Sequence, residues 1–112
     1  MTLAQESKLF GSPRRTELLV LLALLGESYP SELQRLLDVA MASVTYILDD
    51  LEIEGVLVTR RLGRTRRVTL NPRYFAAKEL SALLKKLGEA DRRLQKIAAS
   101  RRARPRRKGK EL

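Results

Sequence analysis

The residues with the clearest chemistry are Arg60, Arg61, Arg64, Arg66 and Arg67, five guanidinium groups within eight positions and no carboxylate among them. A guanidinium is always charged, and its planar fork of N–H donors matches the oxygens of a phosphate. Such a cluster is suited to holding a polyanion rather than to moving protons. The chain has no histidine and no cysteine, which removes the commonest general base, thiol chemistry, disulfides and most transition-metal sites. Asp49, Asp50, Glu52 and Glu54 fall within one helical segment with no spacing that suggests acid–base or metal work. The sequence therefore predicts no enzyme, no cofactor and no metal.

The charge is unevenly placed. The net charge is +10 over 112 residues, enough for one domain with a modest core. Residues 1–58 hold four basic and nine acidic side chains, whereas residues 59–74 hold six arginines and no acid. A second basic run, Arg101-Arg102-Ala103-Arg104-Pro105-Arg106-Arg107-Lys108-Gly109-Lys110, lies at the C-terminus without apolar periodicity, so 101–112 reads as a disordered basic tail. An acidic body with a basic hairpin and tail points to nucleic acid as the partner. The apolar run Leu18 to Leu25 is too short to span a bilayer, and no secretory h-region precedes it. A cytoplasmic protein with no membrane partner is the expectation.

The elements that must position the arginines follow from local signals. Residues 1–11 read as a lead-in with Leu3, Leu9 and Phe10 available to pack. Ser12-Pro13 is an N-cap followed by proline at the first helical position, and Gly26 stops the helix it starts. That helix is apolar on nearly every side and is expected to be central. A second helix begins near Ser28-Tyr29-Pro30 and breaks at Asp38-Val39-Ala40; its Glu32 and Arg35 are expected to be solvated, as are Arg14 and Arg15 ahead of it. A third, about 42–54, buries Val44, Ile47, Leu48 and Leu51 at i, i+3, i+4, i+7. Gly63-Arg64 as a two-residue turn within 56–71 sets Leu57 against Leu70 and puts Leu57, Thr59, Val68 and Leu70 on the core face. It also sets Arg60 against Arg67 and Arg61 against Arg66, like-charge pairs costing about 0.2–1 kcal/mol each. Arriving phosphates are expected to relieve that repulsion.

Residues 75–100 read as one long C-terminal helix. Leu80, Leu83, Leu87, Ala90, Leu94 and Ile97 follow a heptad seam, longer than a domain of this size needs to cover. It predicts a homodimer with the C-terminal half of the helix at the interface.

The fold class expected is mainly α with a small β-hairpin, a winged helix-turn-helix over 12–74 plus the long C-terminal helix. Leu9-Phe10-Gly11-Ser12-Pro13-Arg14-Arg15, Glu27-Ser28-Tyr29-Pro30-Ser31-Glu32-Leu33 and the run from Val44 to Val58 resemble the ArsR/MarR-like winged helix-turn-helix transcriptional regulators over residues 9–74. The resemblance implies a sequence-specific regulator of double-stranded DNA, its third helix in the major groove and its wing on the backbone or in the minor groove. By position it implies DNA contacts from Ala42, Ser43, Thr45, Tyr46 and Asp49, and from Arg60, Arg61, Arg64, Thr65, Arg66 and Arg67 of the wing. Asp49 suits a cytosine amino group but repels phosphate. The family commonly has glycine and then serine or threonine where this chain has Asp38 and Ala40. Ala40 is a poor N-cap, costing the third helix about 1 kcal/mol unless Asp38 or Ser43 substitutes. Metal-sensing relatives use Cys, His and carboxylates that this chain cannot assemble.

Two other readings compete. An RNA- or ribosome-associated winged helix has few stacking rings available, namely Tyr29, Tyr46 and Tyr74, with Phe10 and Phe75 expected in the core. A protein-interaction module would instead use the acidic body and the C-terminal seam.

Overall fold

The computed structural model describes residues 8–103. Leu3 of the lead-in and residues 104–112 of the basic tail lie outside the described residues. The described residues form five helices and one two-stranded antiparallel hairpin, and the chain is mainly helical. In order they are α1 (Pro13–Leu25), α2 (Pro30–Leu37), α3 (Met41–Ile53), β1 (Leu57–Leu62), β2 (Thr65–Leu70), α4 (Ala77–Glu89) and α5 (Arg92–Ala103).

α1 starts and stops as its sequence signals predict. The Ser12 hydroxyl accepts from the Arg15 N–H at 3.1 Å, Pro13 occupies the first turn, and Gly26 ends the helix at φ 86°. Every residue from Thr16 to Leu22 is buried, because α1 is packed by α4, α5 and β2 together. Each fully buried leucine contributes about 1.5–3 kcal/mol of transfer free energy. Glu17 is buried too, which its sequence context does not announce. Its carboxylate accepts from Arg14 at 2.7 Å and from Arg93 of α5, so a charged strap holds the first helix to the last.

The turn between α2 and α3 carries both departures noted above. Asp38 caps α2 in the left-handed conformation at φ 56°, with its N–H bonded to the Gln34 carbonyl. Aspartate tolerates that region better than most residues but less well than glycine. Ala40 gives α3 no side-chain cap, yet α3 begins at Met41 and buries Val44, Ile47, Leu48 and Leu51 as predicted. Packing of the apolar face on α2 outweighs the missing cap.

The hairpin register is the predicted one, from Leu57 opposite Leu70 to Leu62 opposite Thr65, with Gly63 at φ 61° in the turn. Leu57 and Val68 are buried, Thr59 and Leu70 half-buried. Ser28 adds a one-residue third strand, exchanging backbone hydrogen bonds with Val68 at 3.1 and 2.8 Å. Asn71 ties the hairpin base to the exit of α3, donating from Nδ2 to the Gly55 carbonyl at 2.9 Å.

The single long C-terminal helix is corrected to two. α4 ends at Glu89, and Asp91 starts α5 by accepting from the Leu94 N–H at 3.0 Å. The heptad seam is interrupted at that break, and its members are largely spent on the domain's own core. Leu94 is fully buried, while Leu80, Leu87 and Ile97 pack partly buried against the core cluster. Only Leu83, 40 % exposed, and Ala90 face outward. The seam therefore is not a free dimerisation surface. At Gly88 α4 lies tight against α1: a Cβ there would lie 2.9 Å from Leu24 Cδ2.

The onset of the tail is corrected as well. Arg101 lies in α5, and its guanidinium donates to the carbonyls of Leu25 and Glu27 and to Glu32 Oε1 at 3.0–3.2 Å. It satisfies carbonyls at the C-terminal end of α1 that would otherwise lack partners.

Candidate nucleic-acid interface

The outward face of α3 is built by the same spacing that buries its apolar side. With Val44, Ile47, Leu48 and Leu51 turned inward, Ala42, Ser43, Tyr46 and Asp49 are left exposed and Thr45 is half-buried. Tyr46 is 69 % exposed, a large ring one residue before the buried Ile47. The Thr45 hydroxyl donates back to the carbonyls of Met41 and Ala42 at 3.1 and 3.2 Å. Its proton is thereby engaged within the helix, and the oxygen remains as an acceptor.

The hairpin brings its tip beside the starts of two helices. Arg64, Thr65, Arg66 and Arg67 line a cleft of about 480 Å3 with Tyr29, Pro30 and Ser31 at the start of α2 and Met41 at the start of α3. Wing and α3 thus share one side of the molecule. Helix starts carry partial positive charge, so the cleft combines two favourable fields for an anion.

The five arginines are not equivalent. Strand alternation puts Arg61 and Arg66 on the face turned towards α3, and Arg60 and Arg67 on the opposite one. Arg66 is only 15 % exposed; its Nη2 lies 2.9 Å from Asp49 Oδ1 and 2.9 Å from Glu52 Oε1, and its Nε donates to Thr59 Oγ1 at 3.3 Å. Arg60 pairs with Glu27 at 3.0 Å, on an exposed surface. Arg67 stacks over the Tyr29 ring, 5.1 Å from its centroid. Arg61 and Arg64 are exposed and make no ion pair or side-chain hydrogen bond among the described residues. The like-charge pairs of the hairpin are therefore relieved inside the molecule, by Glu27 and Tyr29 for Arg60 and Arg67, and by Asp49 and Glu52 for Arg66. No phosphate is needed for that relief.

Several residues read as solvated or buried from sequence are placed otherwise. Glu32 is buried, accepting from Ser28 Oγ at 2.5 Å and from Arg101. Arg15 bonds Asp50 of α3 at 2.7 Å, and Arg14 bonds Glu17, so neither is simply solvated. Phe75, expected in the core, is 91 % exposed beside Tyr74, with ring centroids 4.9 Å apart; Phe10 is half-buried. The Arg14–Glu17 and Ser28–Glu32 contacts are local, three and four residues apart, whereas Arg15–Asp50 and Arg101–Glu32 join partners 35 and 69 residues apart and leave no signal in local spacing.

Among the described residues no helix is long and apolar enough to cross a membrane, and no three carboxylates meet as a metal site. No protein-family model, curated protein or solved structure matches the chain.

Proposed function

We propose that the chain is a double-stranded DNA-binding transcriptional regulator of the ArsR/MarR-like winged helix-turn-helix kind, without catalytic activity. The observation that carries this reading is the shared side of the molecule. The exposed face of α3, with Ala42, Ser43, Tyr46 and Asp49, stands beside a hairpin tip whose Arg61 and Arg64 have no ion-pair partner among the described residues. α3 in the major groove presents short polar groups and one acceptor to base edges. Arg61 and Arg64 supply phosphate or minor-groove contacts, and Arg60 and Arg67 a weaker share. Selection of bound duplexes from a random pool tests the reading. An enriched motif, lost when Tyr46 and Ser43 are replaced by alanine, is the expected result, and retention of all sequences alike would refute base reading.

A second reading is favoured by one observation. Phe75 and Tyr46 are exposed rings of the kind that stack on unpaired bases. Competing labelled duplex with structured RNA separates the two; displacement by RNA at equal concentration would favour an RNA partner. A homodimer on a two-fold site would need a surface other than the C-terminal seam, and sedimentation with and without duplex measures it.

A further inference from the structure

We infer that Arg66 serves α3 rather than the phosphate backbone: it cancels the two carboxylates that α3 would otherwise carry towards DNA, and it fixes the wing against that helix. The inference rests on the DNA-binding reading above and assigns a positioning role within it. Three observations converge. The guanidinium is committed on both sides, through Nη2 to Asp49 and Glu52 and through Nε to Thr59. The carboxylates are the more open partners, Asp49 being 62 % exposed where Arg66 is 15 %. Asp49 also lies on the stripe of α3 that contains Ala42, Thr45 and Tyr46, the face presented outward.

To meet a phosphate, Arg66 would have to leave all three contacts, and it would leave Asp49 and Glu52 unpaired next to the same polyanion. Arg61, directly across the strand pair, faces no such conflict. With the clamp in place Asp49 keeps Oδ2 as an acceptor while its charge is compensated, which removes the objection to a carboxylate on this face. The hairpin is held at two heights, by Asn71 at its base and by Arg66 further up.

The test is a set of titrations against a random-sequence duplex at one fixed salt concentration, so that any base contact by Asp49 averages out. The chains are wild type, R66Q, R66K, and R66Q combined with D49N and E52Q, each checked for an intact melting transition. R66Q is expected to weaken binding by about tenfold, the scale of a close like-charge contact at surface dielectric. R66K is expected to fall between it and wild type, because the ammonium keeps the charge beside both carboxylates but lacks the Nε donor that bonds Thr59. The combined variant is expected to return to within about threefold of wild type, since two unpaired carboxylates no longer face the polyanion. A combined variant as weak as R66Q would identify Arg66 as a direct phosphate contact and overturn the clamp. R66Q binding as well as wild type would overturn it too. Failure of the wild-type chain to bind any duplex, read before a variant is touched, would overturn the DNA reading and the clamp with it.

Discussion

Replacing Arg61 and Arg64 together with alanine gives the sharpest measurement on the wing. Both side chains are exposed and neither has a partner among the described residues, so their removal disturbs no internal contact. If each neutralises one phosphate, the slope of log K against log salt changes by about 0.9 for each, or about 1.8 for both. Between 50 and 200 mM salt, a fourfold range, that difference amounts to about twelvefold in affinity. The wild-type chain should therefore lose about twelvefold more affinity across the range than the variant does. Anisotropy titrations at four salt concentrations, with wild type and variant in parallel, resolve a difference of this size. The paired cations supply the internal comparison. Replacing Arg60 and Arg67 should change the slope by less than half as much, because Glu27 already compensates Arg60. Parallel lines for wild type and the Arg61, Arg64 variant would refute the wing as a phosphate contact. Equal changes for the two pairs would refute the argument that internal pairing decides which arginines are available.

Three further outcomes concern the frame that holds the interface. Asp38→Gly should raise the stability by ~0.5 kcal/mol, visible as a higher denaturant midpoint, because φ 56° is strained for aspartate and free for glycine. Gly88→Ala should lower the melting temperature despite its better helix propensity. The new Cβ would press on Leu24 Cδ2 at 2.9 Å, and overpacking of about 1–3 kcal/mol exceeds a gain of about 1 kcal/mol. Arg101→Ala should cost about 2 kcal/mol by chemical denaturation, since it strips charged hydrogen bonds from Glu32 and from the end of α1. A chain as stable as wild type would show that α5 is anchored by its apolar residues and the Arg93–Glu17 pair without help from Arg101.

Where local signals decide an element, the sequence was sufficient. Ser12-Pro13 and Gly26 bracket α1, and Gly63-Arg64 between two β-prone runs sets a register correct at all six pairs. The C-terminal break carries a local signal that a heptad count passes over. Asp91 followed by Arg92, Arg93 and Leu94 is an N-cap signal, and the leucine spacing happens to continue across it. A heptad count records spacing, and spacing survives a turn that redirects the helix. The buried carboxylates were illegible for another reason. Glu17 meets Arg93 and Glu32 meets Arg101 across 76 and 69 residues, and no window of sequence brings such partners together.

The same distinction governs the wing. Five arginines without a carboxylate look like five phosphate contacts when only the hairpin is in view. Folding supplies the missing acids from elsewhere: Glu27 from the loop before α2, Asp49 and Glu52 from α3. The density of positive charge in a segment therefore overstates what it can offer a partner, because the acidic body of this chain is folded against its basic hairpin. What remains outward is set by strand alternation and by reach. Arg66 points at α3 and is consumed there, while Arg61, on the same face but on the other strand, has no acid to meet among the described residues. The affinity of the wing should accordingly follow its unpaired tip, and its orientation should follow the arginine that is paired.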